Sequence, residues 1–167
     1  MIKTKLLVAG AAIVSLGLGA TTAQAATDTA QAEARILSPV AVTKVLDLNF
    51  GTIVPGATAD VVTLDFASAV TCGSLTCVGT PQTAEFTVEG TAGEQVTVDA
   101  IGTITLTRSG GGASMTADLA PNVPYGATAW ALPAASNTVL VGGDLNVGAN
   151  QQAGVYIGSF DLTVNYN

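Results

Sequence analysis

The sequence predicts an all-β domain, a Greek-key sandwich of about eight short strands, and three observations carry the prediction. First, the closing run "YIGSFDLTVNYN" alternates: Tyr156, Gly158, Phe160, Leu162, Val164 and Tyr166 are apolar, small or aromatic, while the residues between them are mostly polar. A period of two over that length is the mark of a strand with one buried face. Second, Ala, Gly, Thr and Val dominate and only 10% of residues are charged. Thr and Val are stiff at χ1 and suit a pleated surface. Third, the 19 glycines suit frequent turns, and short alternating runs recur at roughly ten-residue spacing, with no sustained helical periodicity after the first residues.

The elements follow in order. Lys3 and Lys5 precede an apolar run, Leu6 to Leu18, and Ala23-Gln24-Ala25 supplies small residues at −3 and −1. Residues 1–25 therefore read as a secretory signal peptide, the competing reading being an N-terminal anchor. Ala26 to Ala34 is small and polar, with Ala30, Ala32, Ala34 and Ile36 alternating against Gln31, Glu33 and Arg35. Residues 26–36 are read as an N-terminal extension, a weak strand or a mobile tail, and residues 37–167 as the sandwich. Pro39 makes Ile36 to Val42 an edge strand.

Leu46, Leu48 and Phe50 alternate with Asp47 and Asn49, and Val62, Leu64 and Phe66 mark the next strand. Further strands are expected around Ala84–Val88, Val96–Ala100, Ile104–Leu106 and Met115–Leu119. Pro121 to Ser136, which holds the sole tryptophan, Trp130, reads as a long crossover. Val139 to Val147 reads as a strand region with a bend at Gly142-Gly143, and "GANQQAG" turns the chain into its last strand.

Cys72 and Cys77 flank "GSLT", a hairpin tip that brings two cysteines within bridging distance. In an exported protein they read as a structural disulfide. A metal pair would need further ligands, and the chain has no histidine and no third cysteine. Redox pairs are usually spaced more closely.

Cleavage after Ala25 would leave Arg35, Lys44 and Arg108 against 12 carboxylates, a net charge of −9. Such a chain cannot neutralise a track of phosphates, so nucleic acid is excluded as a partner, and anionic membranes repel it. No membrane insertion is expected after cleavage. Without histidine, neither a Ser-His-Asp triad nor a Cys-His dyad can form. Asp47, Asp65, Glu85, Glu89, Asp99 and Asp161 mostly occupy the polar phase of strands, where a solvated face accounts for them better than paired-carboxylate hydrolysis does. "SGGGAS" lacks the lysine and helix of a phosphate loop, and "VGGDLNVGAN" is short of acidic ligands for calcium. No enzyme activity and no cofactor are expected. Trp130 is either a plug at the end of the sandwich or a platform for a sugar.

"LDLNFGTIVPG" near the start of the domain and "VGGDLNVGANQQAGVYIGSFDLTVNYN" at its end resemble an uncharacterised bacterial secreted-domain family, itself likened to fimbrial subunits and spore-coat-U-type domains. The ending is also similar to that of chaperone–usher pilins, with Tyr166 penultimate and Gly154 fourteenth from the end. That resemblance implies an immunoglobulin-like sandwich that lacks its last strand and is completed by the N-terminal extension of another subunit. It implies assembly residues at Gly154, Tyr156, Phe160, Leu162, Val164 and Tyr166, and a donor segment at Ala30, Ala32, Ala34 and Ile36. The implied partners are like subunits or a periplasmic chaperone and usher, in the periplasm, at the cell surface or in an extracellular fibre. The small cysteine loop departs from the longer bridge of many pilins. The alternatives are an internal strand paired within its own chain, and a monomeric secreted module that binds a ligand such as carbohydrate.

Overall fold

A computed structural model describes residues 24–167. The expected signal peptide, residues 1–25, lies outside the described residues except for its last two. Among the described residues no helix is long and apolar enough to cross a membrane. A compact unit spans Arg35–Asn167. In the preceding unit the described residues, 24–34, are exposed and carry no strand.

The compact unit is all-β. Its strands are β1 (Ala41–Leu46), β2 (Thr52–Val54), β3 (Asp60–Leu64), β4 (Val70–Thr71), β5 (Thr76–Val78), β6 (Ala84–Glu89), β7 (Gln95–Val98), β8 (Gly102–Arg108), β9 (Ser114–Pro121), β10 (Trp130–Ala131), β11 (Ser136–Val147), β12 (Tyr156–Ile157) and β13 (Val164–Tyr166). The thirteen strands outnumber the eight expected because two- and three-residue strands in the loops carry no periodicity of their own. All pairings are antiparallel. An eight-stranded sheet runs β1-β6-β11-β9-β8-β12, with β3 joined to β11 and β4 to β3. A three-stranded sheet, β10-β7-β13, and the two-stranded β2-β5 share one apolar core with it. The arrangement is sandwich-like.

Alternation decides what enters that core. Ala84, Phe86 and Val88 on β6 are buried, as are Val96 and Val98 on β7 and Ala117 and Leu119 on β9. Gly142-Gly143 does not end β11. There the strand exchanges one neighbour for another, pairing with β6 through Val141 and with β3 from Gly143. A side chain at Gly142 would lie 2.6 Å from the Leu64 carbonyl, so only glycine lets the two neighbours succeed each other on one edge.

Several predicted strands end elsewhere. The edge strand expected over Ile36 to Val42 begins only at Ala41, since Pro39 and the residues around it carry no ladder. Leu46, Leu48 and Phe50 do not form one strand; β1 stops at Leu46 and a lone bridge, Asn49 to Gln82, follows. Phe66 lies outside β3 and is 43% exposed, because the Asp65 carboxylate accepts from the Ala67 and Ala69 amides and turns the chain. Trp130 is buried and faces Val96 across a ladder, so it packs in the core.

The largest correction concerns the closing run. Tyr156 to Tyr166 is not one strand. β12 pairs with β8 in the large sheet, and β13 pairs with β7 in the small one. Because β7 and β8 belong to different sheets, a ribbon that follows both must leave one ladder to join the other. Gly158 marks the departure, with a Cβ there only 2.8 Å from the Thr105 carbonyl.

Candidate functional site: an apolar groove between two free strand edges

The alternation of the closing ribbon survives even where its ladder does not. Phe160 and Tyr166 are half-buried and Leu162 and Val164 buried, while Ser159, Asp161, Thr163 and Asn165 are exposed. Gly158–Leu162 nevertheless makes no backbone hydrogen bond to a neighbouring strand among the described residues. The ladder resumes only where the Asp99 amide donates to the Thr163 carbonyl, at 2.9 Å. Five consecutive residues in a strand-like phase thus keep their donors and acceptors open.

Beside this stretch lies a groove of about 660 Å³. Its walls are Val42, Lys44 and Leu46 of β1 on one side and Gly158–Leu162 on the other. Phe86, Ile104 and Leu106 line it as well. Phe86 and Phe160 meet edge-to-face within it, ring centroids 6.0 Å apart. Among the described residues β1 pairs with β6 alone and Gly158–Leu162 with no strand, so both flanks of the groove are backbone edges without a second partner. A second hollow, about 520 Å³, shares Leu48, Phe50, Leu106 and Tyr156 with the first and reaches Met115 and Gly154.

The remaining predicted residues divide by role. Gly154 lines the second hollow; its φ of +155° suits glycine, and a Cβ would meet the Arg108 side chain, whose Nε donates to the Ala153 carbonyl at 2.7 Å. Tyr156 braces the preceding loop, its hydroxyl donating to the Gln152 carbonyl at 2.6 Å and accepting from Gln151 Nε2 at 2.9 Å. Val164 is core rather than groove lining. Tyr166 points away from the groove to the base of the N-terminal segment: its hydroxyl accepts from the Thr91 amide and donates to the Ser38 carbonyl, both at 2.7 Å. Ala30, Ala32 and Ala34 are exposed and unpaired in any ladder, and Ile36 is 93% exposed. Cys72 and Cys77 are bonded to each other, their Cα atoms 6.1 Å apart, and both pack against the core.

Sequence reasoning missed the wall formed by β1 and the lining from β8. Val40, Val42, Lys44 and Leu46 do follow a period of two. The lysine in that series hides the apolar face; its amine reaches Asp47 at 2.5 Å, and both residues line the groove.

Two carboxylates away from the groove are tied into the fold by hydrogen bonds. Asp60 is held below the ordinary carboxylate value of 3.8, chiefly by the Ser74 hydroxyl and then by the Ser74 and Val61 amides, which anchors the disulfide loop. Asp118 is lowered by the Thr103 hydroxyl and the Asn146 amide across the outer face of the large sheet. Neither carboxylate lines the groove.

No curated protein and no solved structure matches the chain. A family model does, over residues 40–166, a span that starts just before β1 and ends with the ribbon flanking the groove. The chain therefore belongs to the family described as "Domain of unknown function (DUF4402)".

Proposed function

We propose that this protein is a non-enzymatic structural subunit, exported and assembled into a fimbria-like surface fibre by β-strand addition. The observation that carries the reading is the apolar groove between the free edge of β1 and the unpaired stretch Gly158–Leu162. A strand laid there would satisfy open backbone groups on both sides and cover Phe86, Ile104 and Leu106 with alternate side chains. On this reading the sandwich is immunoglobulin-like and pilin-like and lacks its last strand. The donor is residues 26–36 of another copy, whose Ala30, Ala32, Ala34 and Ile36 present one apolar face in an extended chain. A periplasmic chaperone and usher would shield the groove before assembly.

The test is a synthetic peptide of residues 26–38, added to a chain lacking residues 26–36. At a peptide concentration 100 times its Kd the stabilisation is about 2.7 kcal/mol, a rise in Tm on the order of 10 °C for a domain of this size. An unchanged Tm, with a scrambled peptide as control, would reject strand addition at this groove.

A further inference from the structure

A donor strand tethered a few residues from its own groove should occupy that groove first. A short flexible tether gives a segment an effective concentration in the millimolar range, roughly a hundredfold or more above that of other copies at micromolar protein. β1 itself forms one wall, and only Leu37–Val40 separate it from residues 30–36. A subunit that gives its extension away must therefore be prevented from using it.

The base of the extension carries such a restraint. The Ser38 amide donates to Thr91 Oγ1 at 2.8 Å, and the Ser38 carbonyl accepts from the Tyr166 hydroxyl at 2.7 Å. That hydroxyl also accepts from the Thr91 amide, so both polar groups of one peptide unit's residue are tied to the turn after β6 and to the end of β13. Gly90 makes room for the clamp, since a Cβ there would lie 3.0 Å from the Tyr166 hydroxyl. Arg35 reaches Glu94 at 2.5 Å, one step further out. For residues 30–36 to double back beside β1, the chain would need a reversal across Leu37–Val40. Pro39 would then take the second central position of the turn, which disfavours the commonest type, and Ser38 would have to surrender both bonds.

On the reading that the groove accepts a strand, we infer that the Ser38–Thr91–Tyr166 clamp, with Pro39, bars self-insertion and makes a second copy of this chain the donor. Each copy then offers its extension from one place and receives at another, a heterologous contact that propagates as an open filament unless its rotation closes a ring.

The inference is tested on the secreted product of the full-length chain by release of the clamp. Tyr166→Phe removes the hydroxyl and keeps the ring. A second variant adds Pro39→Gly and about four Gly-Ser residues after Ser38 to provide a flexible hinge. Binding of a fluorescent peptide of residues 26–38 is measured for wild type, both variants and a chain lacking residues 26–36, with Trp130 emission as the check on folding. Wild type and the deletion are expected to take the peptide, and the hinged variant to bind it at least about tenfold more weakly and to sediment as a monomer. The Phe variant should fall between them. If the hinged, folded variant binds peptide and self-associates like wild type, the clamp has no such role and strand addition still stands. Wild type that sediments as a monomer and refuses the peptide while the deletion takes it would mean self-insertion already occurs, which also overturns the inference. Peptide bound by neither would remove strand addition and the clamp together.

Discussion

Val96 and Val98 on β7 are 0% exposed, whereas Ile104 and Leu106 on the next strand, β8, stay half-buried. Both strands alternate, and both direct branched side chains towards the same core. What differs is the cover. β7 has β10 on one side and β13 on the other, and the two-layer packing around it is closed. β8 faces a ribbon that has left its ladder at Ile157, and beyond the ribbon lies open volume up to the edge of β1. β9 repeats the gradient within one strand, with Leu119 and Ala117 buried and Met115 half-buried beside the second hollow. Burial here is set by the presence of an opposing strand, and the apolar residues themselves are equally suited to both ends.

Amide exchange should break this comparison most widely. Ladder amides of β7 are expected to exchange only through global opening, and those of Gly158–Leu162 within seconds, a difference of several orders of magnitude. Slow exchange across 158–162 in an unassembled chain would mean that the ribbon is already paired. A smaller contrast should appear in equilibrium denaturation. Leu132→Ala, at a site 1% exposed, is expected to cost about 2–5 kcal/mol, and Leu106→Ala on the groove about half that or less, because its side chain keeps water on one side.

The smallest effect is acid sensitivity. Asp60 and Asp118 have folded pKa values below the ordinary one, so their contribution is present above the unfolded value and is lost as pH falls through the folded value. Stability should therefore decline below about pH 4, and Ser74→Ala should flatten that decline by weakening the anchor of the disulfide loop. The groove should keep its peptide affinity over the same change, since neither carboxylate lines it. Loss of affinity in step with Asp60 titration would join the two regions.

Most of the strand phases were legible in the residues. The in-facing series on β6, β7 and β9 is where the alternation places it, and the apolar set Phe160, Leu162 and Val164 turns inward as the period requires. The hairpin cysteines are bonded as their spacing and turn residues imply. The groove was only half legible. Its ribbon wall stands in the sequence as an alternating run, but Val42, Lys44 and Leu46 look like any edge strand, and nothing in Ile104 or Leu106 tells that their cover is missing.

The division has a physical basis. A side-chain period of two is a property of the extended backbone, so the sequence alone determined that the chain is all-β and which face of each strand is apolar. Hydrogen-bond partners are supplied by segments far apart in the chain, and no local pattern encodes them. Only the tertiary structure decided that the last strand splits between two sheets, that five residues between its halves have no backbone partner among the described residues, and that Tyr166 holds Ser38 across a separation of 128 positions.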